Sequence, residues 1–374
     1  MAIKAASHTA ILRSVIVVFY LVPLILSAQK NNPLRIGVAG LTHSHVHWIF
    51  NSAKTENIEI VGIAEPNKEL AARFVQQYNY PADRIYPTLR AMIDAQKPEA
   101  VAAFNSIAEH LGVVETCAPL GIHVMVEKPL AVSLADARKM ETLATRNKIL
   151  LLTNFETTWY SSVHKAHELV GDSAIGSIRK LVVHDGHQGP AEIGVNKEFL
   201  DWLTDPVKNG AGALMDFGCY GADLSTWLMK GQRPVTVTAV TQQVKPEKYP
   251  KVDDEATIII TYPKSQTVIQ ASWNWTFSRK DVEIYGTTGI IMAPNKNTIT
   301  TRFRESAPDS LRKLSDRPAP YNDPFAFFRA AVRKEIRVED DDLSSLRTNI
   351  TVMEILDAAK RSALTGKTVS LSTK

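Results

Sequence analysis

The chain has 374 residues, enough for about two domains, and a 45% hydrophobic fraction ordinary for a protein that buries a real core. A formal net charge of +4 without a basic stripe excludes a nucleic-acid footprint. Two cysteines, Cys117 and Cys219, are too few for a disulfide framework and are expected to be free, buried thiols.

The first segment is read as a leader. Lys4 and Arg13 precede the apolar run Val15–Leu26, which exits through Ser27-Ala28-Gln29. A basic start, an apolar stretch and a small-residue exit make residues 1–28 a secretory signal peptide, cleaved near Ala28. The run is short for a membrane span of roughly 20 residues. The expectation is a soluble protein outside the cytoplasm, in the periplasm, with an uncleaved anchor as the alternative.

Pro33–Ala39 reads as a first strand, followed by Gly40-Leu41-Thr42-His43-Ser44-His45 and an amphipathic segment around Val46, Ile49 and Phe50. Ile58–Ala64 is a second strand that ends at Glu65, and Lys68–Gln77 is a helix. Ala100–Phe104 is a strand and Ile107–Leu120 a helix. His123–Val126 is a strand that Pro129 must stop, because proline has no N–H for a sheet ladder. Leu134–Arg146 is helical and Ile149–Thr153 a strand. Strands alternating with helices predict an α/β fold, a doubly wound parallel sheet over residues 33–154.

After Asn154 the texture changes. A helix, Ser161–Val170, leads to the strand Ile178–His184, and Gly210-Ala211-Gly212 opens a helix over Ala213–Met229. Val235–Val244, Ala256–Tyr262, Thr267–Trp275 and Val282–Tyr285 follow without intervening helices, which predicts an open, mainly antiparallel sheet. Residues 155–374 are therefore expected to form a second, α+β domain. Ser306–Asp323 reads as a loop, and Pro324–Arg333 and Leu343–Leu364 as helices, the C-terminal one able to pack back on the first domain.

A glycine between a first strand and a helix is where a dinucleotide pyrophosphate sits. Gly40 fits the first position of G-x-G-x-x-G, while Thr42 and His45 occupy the other two. The Thr42 hydroxyl is expected to donate a hydrogen bond where glycine would have let backbone approach. Glu65, at the end of the second strand, can accept from both ribose hydroxyls and would repel a 2′-phosphate, which predicts NAD over NADP. The run His43-Ser44-His45-Val46-His47 admits a metal reading, but no cysteine or carboxylate lies nearby in sequence, and no metal site is assigned. Lys128 stands at the carboxyl end of a strand, the rim where ligands bind in open α/β sheets.

Together these residues resemble the Gfo/Idh/MocA oxidoreductases, the glucose–fructose oxidoreductase and inositol dehydrogenase family. The resemblance rests on Arg35–Gly40, Glu65-Pro66, the run Gly121–Pro129 with Glu127-Lys128-Pro129, and the run Gly210–Tyr220 with Asp223 beyond it. It implies an N-terminal Rossmann domain that holds NAD(P) and a C-terminal domain that shapes a small-molecule carbohydrate site and mediates homo-oligomerisation. It brings Gly40, Thr42, His43, Ser44, His45, Glu65, Asn105, Glu127 and Lys128 to the cofactor. Lys128, Asp216 and Tyr220 are the catalytic set, with Tyr220 where the family usually has histidine. The implied activity is hydride transfer between the nicotinamide and a secondary alcohol of a sugar, glycoside or polyol. A redox-neutral, NAD-dependent glycoside hydrolase or lyase is one alternative, and a non-catalytic nucleotide- or sugar-binding protein another.

Taking hydride from a carbinol carbon also requires removing the hydroxyl proton. Lys128 is expected to depress the pKa of Tyr220, and Asp216 to orient Lys128 from the same face of one helix. His184 and His187 are candidates to face the site, and Trp159, Trp202, Trp273 and Trp275 to stack on a sugar.

Overall fold

Short strands dense in valine, isoleucine and alanine must be covered on both faces, and six of them form one parallel sheet. In the computed structural model, which describes residues 32–371, these are β1 (Leu34–Ala39), β2 (Ile58–Ala64), β3 (Ile85–Tyr86), β4 (Ala100–Ala103), β5 (His123–Glu127) and β6 (Leu151–Asn154). The leader expected over residues 1–28 lies outside the described residues. Strand order is β3-β2-β1-β4-β5-β6. β4 and β6 are buried throughout, and β1, β2 and β5 at all but one position each, as helices on both faces require. The order reverses between β1 and β4, which opens a crevice at their carboxyl ends. Gly40 makes that crevice possible. Its φ is +80°, and a Cβ there would lie 2.6 Å from the Cβ of Asn105.

The second sheet holds β7 (Ile178–Gly186), β8 (Thr236–Gln242), β9 (Glu255–Thr261), β10 (Gln266–Ser272), β11 (Arg279–Gly286), β12 (Ile290–Asn295), β13 (Thr298–Arg302), β14 (Ser310–Lys313) and β15 (Val369–Ser370). Its order is β14-β13-β12-β11-β7-β10-β9-β8-β15. Every neighbouring pair is antiparallel except β7 with β10. Alternation sets the faces: Ala256, Ile258 and Ile260 of β9 point to the core, under the helices Gly218–Leu228 and Leu346–Thr365. β14 falls in the stretch read as a loop. All four of its residues are exposed at the sheet edge, so no buried face wrote a pattern there.

The chain returns to the first domain late. Phe325, Phe327 and Phe328 of the helix Pro324–Val332 pack with Ile36, Phe104, Met125 and Leu152. The helix Leu346–Thr365 lies against both the helix Leu134–Asn147 and β8, so it bridges the two halves.

One expected element is broken. The helix anticipated over Ala213–Met229 is two, Ala213–Asp216 and Gly218–Leu228. In a continuous helix the Asp216 carbonyl would accept from the Tyr220 N–H. Here the Tyr220 N–H donates to the Phe217 carbonyl at 3.2 Å, and the Asp216 carbonyl instead accepts from Lys128 Nζ at 3.0 Å. A lysine from the other domain has replaced the helix's own donor.

Candidate active site

Lys128 follows the last residue of β5 and is 6% exposed. Its ammonium donates to both the carboxylate and the carbonyl of Asp216. The other carboxylate oxygen of Asp216 accepts from Trp273 Nε1 at 2.9 Å. The Gly-rich turn that presents Asp216 is pinned by Asp253, whose carboxylate accepts from the N–H groups of Gly212 (2.8 Å) and Leu214 (2.7 Å). Burial alone would push the Lys128 ammonium down, but Asp216 reverses this and holds it above its ordinary value. Burial likewise would raise the Asp216 carboxyl, and Lys128 with Trp273 keeps it below the usual range.

Tyr220 joins this pair, though not as the helix-face argument expected. Lys128 Nζ lies 5.2 Å from the centroid of its ring, so the ammonium meets the aromatic face. Lys280 Nζ lies 5.4 Å from the same ring. The expectation of a depressed phenol is overturned. Burial pushes the Tyr220 hydroxyl well above its ordinary value, and the carboxylates of Glu156, Glu127 and Asp216 add to the rise.

The nucleotide loop is threaded by hydrogen bonds. His45 Nδ1 pairs with Glu127 Oε2 at 2.9 Å, and Glu127 Oε1 accepts from Asn154 Nδ2 at 2.8 Å. Burial would raise the Glu127 carboxyl, but His45, His43 and Asn154 hold it at about 2. His43, His45 and Glu127 bring three potential ligand atoms within 4.8 Å, so the structure supplies the carboxylate that sequence neighbours lacked. The tautomer argues against a metal. His43 Nδ1 accepts the His45 N–H at 3.1 Å, which leaves the neutral ring's proton on Nε2, the atom facing Glu127. His43 is otherwise walled in by Phe199 and Trp202, at 4.7 and 5.9 Å between centroids.

Thr42 and Glu65 are more engaged than expected. The Thr42 hydroxyl donates to the Phe104 carbonyl at 3.2 Å and accepts from Trp202 Nε1 at 3.1 Å, so its hydrogen is not free for a phosphate. The Glu65 carboxylate is buried and clamps the loop, accepting from the N–H groups of Leu41 (2.9 Å) and Asn67 (2.8 Å). Ser44 is half-buried beside them.

Three residues that the sequence reading passed over complete the cluster. Asp185 of β7 is fully buried, and neither carboxyl oxygen has a hydrogen-bond partner among the described residues. It stands opposite Lys280 of β11 in the strand register. Lys280 pairs with Glu156, whose other oxygen accepts from Tyr160 at 2.5 Å. Period-two alternation was the available signal: Leu181, Val183 and Asp185 share the inward face. The same parity turns His184 to the other face, where it pairs with Asp281 at 2.9 Å. His187 stays near the cluster, edge-on to Phe217 at 5.0 Å, with burial lowering its pKa to about 4. Trp273, Trp202 and Trp159 are tied up as donors and Trp275 carries Arg279, while Trp159 also lines a groove beside the helix Val46–Ser52.

The family model for the NAD-binding Rossmann fold of the GFO/IDH/MocA oxidoreductases matches residues 34–155, and the model for the GFO/IDH/MocA C-terminal domain matches residues 163–292. The chain belongs to the Gfo/Idh/MocA oxidoreductase family. It is 26% identical over 241 residues to a trans-1,2-dihydrobenzene-1,2-diol dehydrogenase of Xenopus tropicalis, covering 63% of this chain and 67% of that one. Its fold is similar to the aldose-aldose oxidoreductase from Caulobacter crescentus complexed with glycerol, with a TM-score of 0.77, 21% identity and coverage of 91% and 100%. It is also similar to an inositol dehydrogenase homologue from Azotobacter vinelandii complexed with NAD+, with a TM-score of 0.78, 18% identity and coverage of 91% and 98%.

The cofactor of this Gfo/Idh/MocA oxidoreductase is NAD, and the crevice fits it. Gly40 brings backbone close beneath the β1 loop. Asn105 Oδ1 is buried there without a partner among the described residues. Each Glu65 oxygen keeps a second lone pair for a ribose hydroxyl. Gly40, Asn105 and Glu65 are thus the residues that would hold the dinucleotide, with Lys128 at the reacting end. Thr42 contributes through Trp202, as the stitch that holds the second domain against the loop.

Proposed function

We propose that this protein is an NAD-dependent dehydrogenase acting reversibly on a secondary alcohol of a sugar, glycoside or polyol. One observation carries the reading: a buried ammonium locked by Asp216 meets the Tyr220 ring at the rim of the nucleotide crevice. The relatives support the substrate class, since their names speak of an aldose, an inositol and a diol.

NAD, when bound, supplies the hydride acceptor. The chain's own residues manage the oxygen and its proton. Lys128 and Tyr220 both hold their protons at neutral pH, since both groups are displaced upward. That is the state that donates to a carbonyl oxygen, so reduction draws on a loaded site. Oxidation needs the substrate hydroxyl's proton to leave, which alkaline pH assists. Asp185, protonated and with neither oxygen partnered among the described residues, can donate to one substrate hydroxyl and accept from another. Trp273 and Asp253 fix Asp216, and through it Lys128.

The test is Lys128→Ala against a panel of sugars and polyols, with NADH binding followed by fluorescence. Turnover should vanish while NADH still binds. Wild-type turnover in the variant refutes the mechanism, and release of an aglycone with no net NADH transfers the assignment to redox-neutral glycoside cleavage.

A further inference from the structure

Alongside the helix Val46–Ser52 runs a groove of about 530 Å3, between that helix and the segment after β6. Trp48, Trp159 and Tyr160 give it aromatic walls, and Glu156, Lys296 and Asn322 give it polar rims. The volume falls in the range of small-molecule pockets, roughly 300–1,000 Å3, and so does the mix of apolar faces with a few convergent polar groups.

Two of its walls lead directly into the catalytic cluster. Glu156 pairs with Lys280, whose Nζ is 5.4 Å from the Tyr220 ring centroid. Trp48 stacks on His45, with centroids 3.8 Å apart and planes 14° from parallel, and His45 bonds Glu127, the neighbour of Lys128. A third wall is braced by the same chain of bonds. Trp159 Nε1 donates to Asn154 Oδ1 at 3.0 Å, and Asn154 in turn donates to Glu127. Three walls of the groove are thus tied through one or two contacts each to residues beside Lys128 and Tyr220.

We propose that this groove is a second sugar subsite, and that the preferred substrate is a disaccharide-sized glycoside whose far ring lies between Trp48 and Tyr160. Aromatic faces suit the C–H face of a pyranose. The rims present an amide, a carboxylate and an ammonium, which offer both donors and acceptors to ring hydroxyls. A purely aromatic aglycone would match the walls but make no use of the polar rims, which a sugar's hydroxyls can meet. The inference rests on the dehydrogenase reading for its reacting end, but not for its ligand.

The test blocks the groove from its exposed rim. Asn322→Trp is compared with wild type for kcat/KM on glucose and on cellobiose, maltose and lactose, with Trp48→Ala as a second variant. Wild type should favour at least one disaccharide, Asn322→Trp should lower its kcat/KM by roughly tenfold or more, and glucose should change by less than about twofold. Equal losses on both substrate sizes, or none, overturn the subsite. Calorimetric titration of the wild-type protein with the same disaccharides separates the two readings. Disaccharide binding weakened by Asn322→Trp but without turnover keeps the subsite and removes the dehydrogenase. Turnover of glucose with no disaccharide binding does the reverse.

Discussion

Replacing Asp185 with asparagine should make the protein more stable and less active. Burial lifts the Asp185 carboxyl well above its ordinary 3.8; Lys280 opposes the rise, and Asp281 and Glu156 reinforce it. Below pH 3.8 the carboxyl is protonated in both folded and unfolded chains, and it has no effect on the pH dependence. Above that pH the unfolded chain releases its proton while the folded chain retains it. Native stability then falls by about 1.4 kcal/mol per pH unit until the native carboxyl ionises. Asparagine at this position has the same shape and the same burial but no proton to lose, so the variant escapes this slope. Urea midpoints measured from pH 4.5 to pH 8 should show a stability gain for Asp185→Asn that widens as pH rises. The same variant should lose kcat/KM by roughly tenfold or more, because an amide nitrogen only donates, whereas the carboxyl OH it replaces can also accept from a substrate hydroxyl. A stability difference that does not vary with pH, or a wild type that is the more stable at pH 7, refutes the reasoning.

Tyr220→Phe keeps the ring that Lys128 packs on and removes only the hydroxyl, so it should bind NADH normally while turnover falls by roughly a hundredfold or more in stopped-flow assays; unchanged turnover assigns the proton step to Lys128 alone. Glu127 is held at about 2 against an ordinary 4.5, so it contributes stability above pH 4.5 that is lost as pH falls toward 2. His45→Ala removes one of its two side-chain hydrogen-bond partners, and the acid-unfolding midpoint followed by circular dichroism should move to higher pH; an unmoved midpoint shows that Asn154 and His43 suffice. Material exported by a bacterial host should begin close to Gln29 on N-terminal sequencing, and an intact Met1 in that fraction contradicts cleavage.

Much of the frame was legible because it obeys short-range rules. Pro129 ends β5, the positive φ at Gly40 opens the crevice, and the run Gly210–Tyr220 carries Asp216 to Lys128. The rest depends on partners far along the chain. The break after Asp216 comes from an ammonium 88 residues away taking its carbonyl. The Tyr220 phenol rises because of full burial and the carboxylates gathered round it, an environment that spacing along a helix does not contain. β3 has two residues, too few to display a period. Asp185 was within reach of the alternation rule. Its neighbour His184 drew notice by residue type, although parity points it to the opposite face.

Lys128 is anchored in one half of the molecule and completes the hydrogen bonding of a helix in the other. The halves are thereby stapled at the reaction centre itself. Swinging them apart would undo the buried ion pair and the lysine-to-carbonyl hydrogen bond together. An open form of the molecule is therefore one without its Lys128–Asp216 pair.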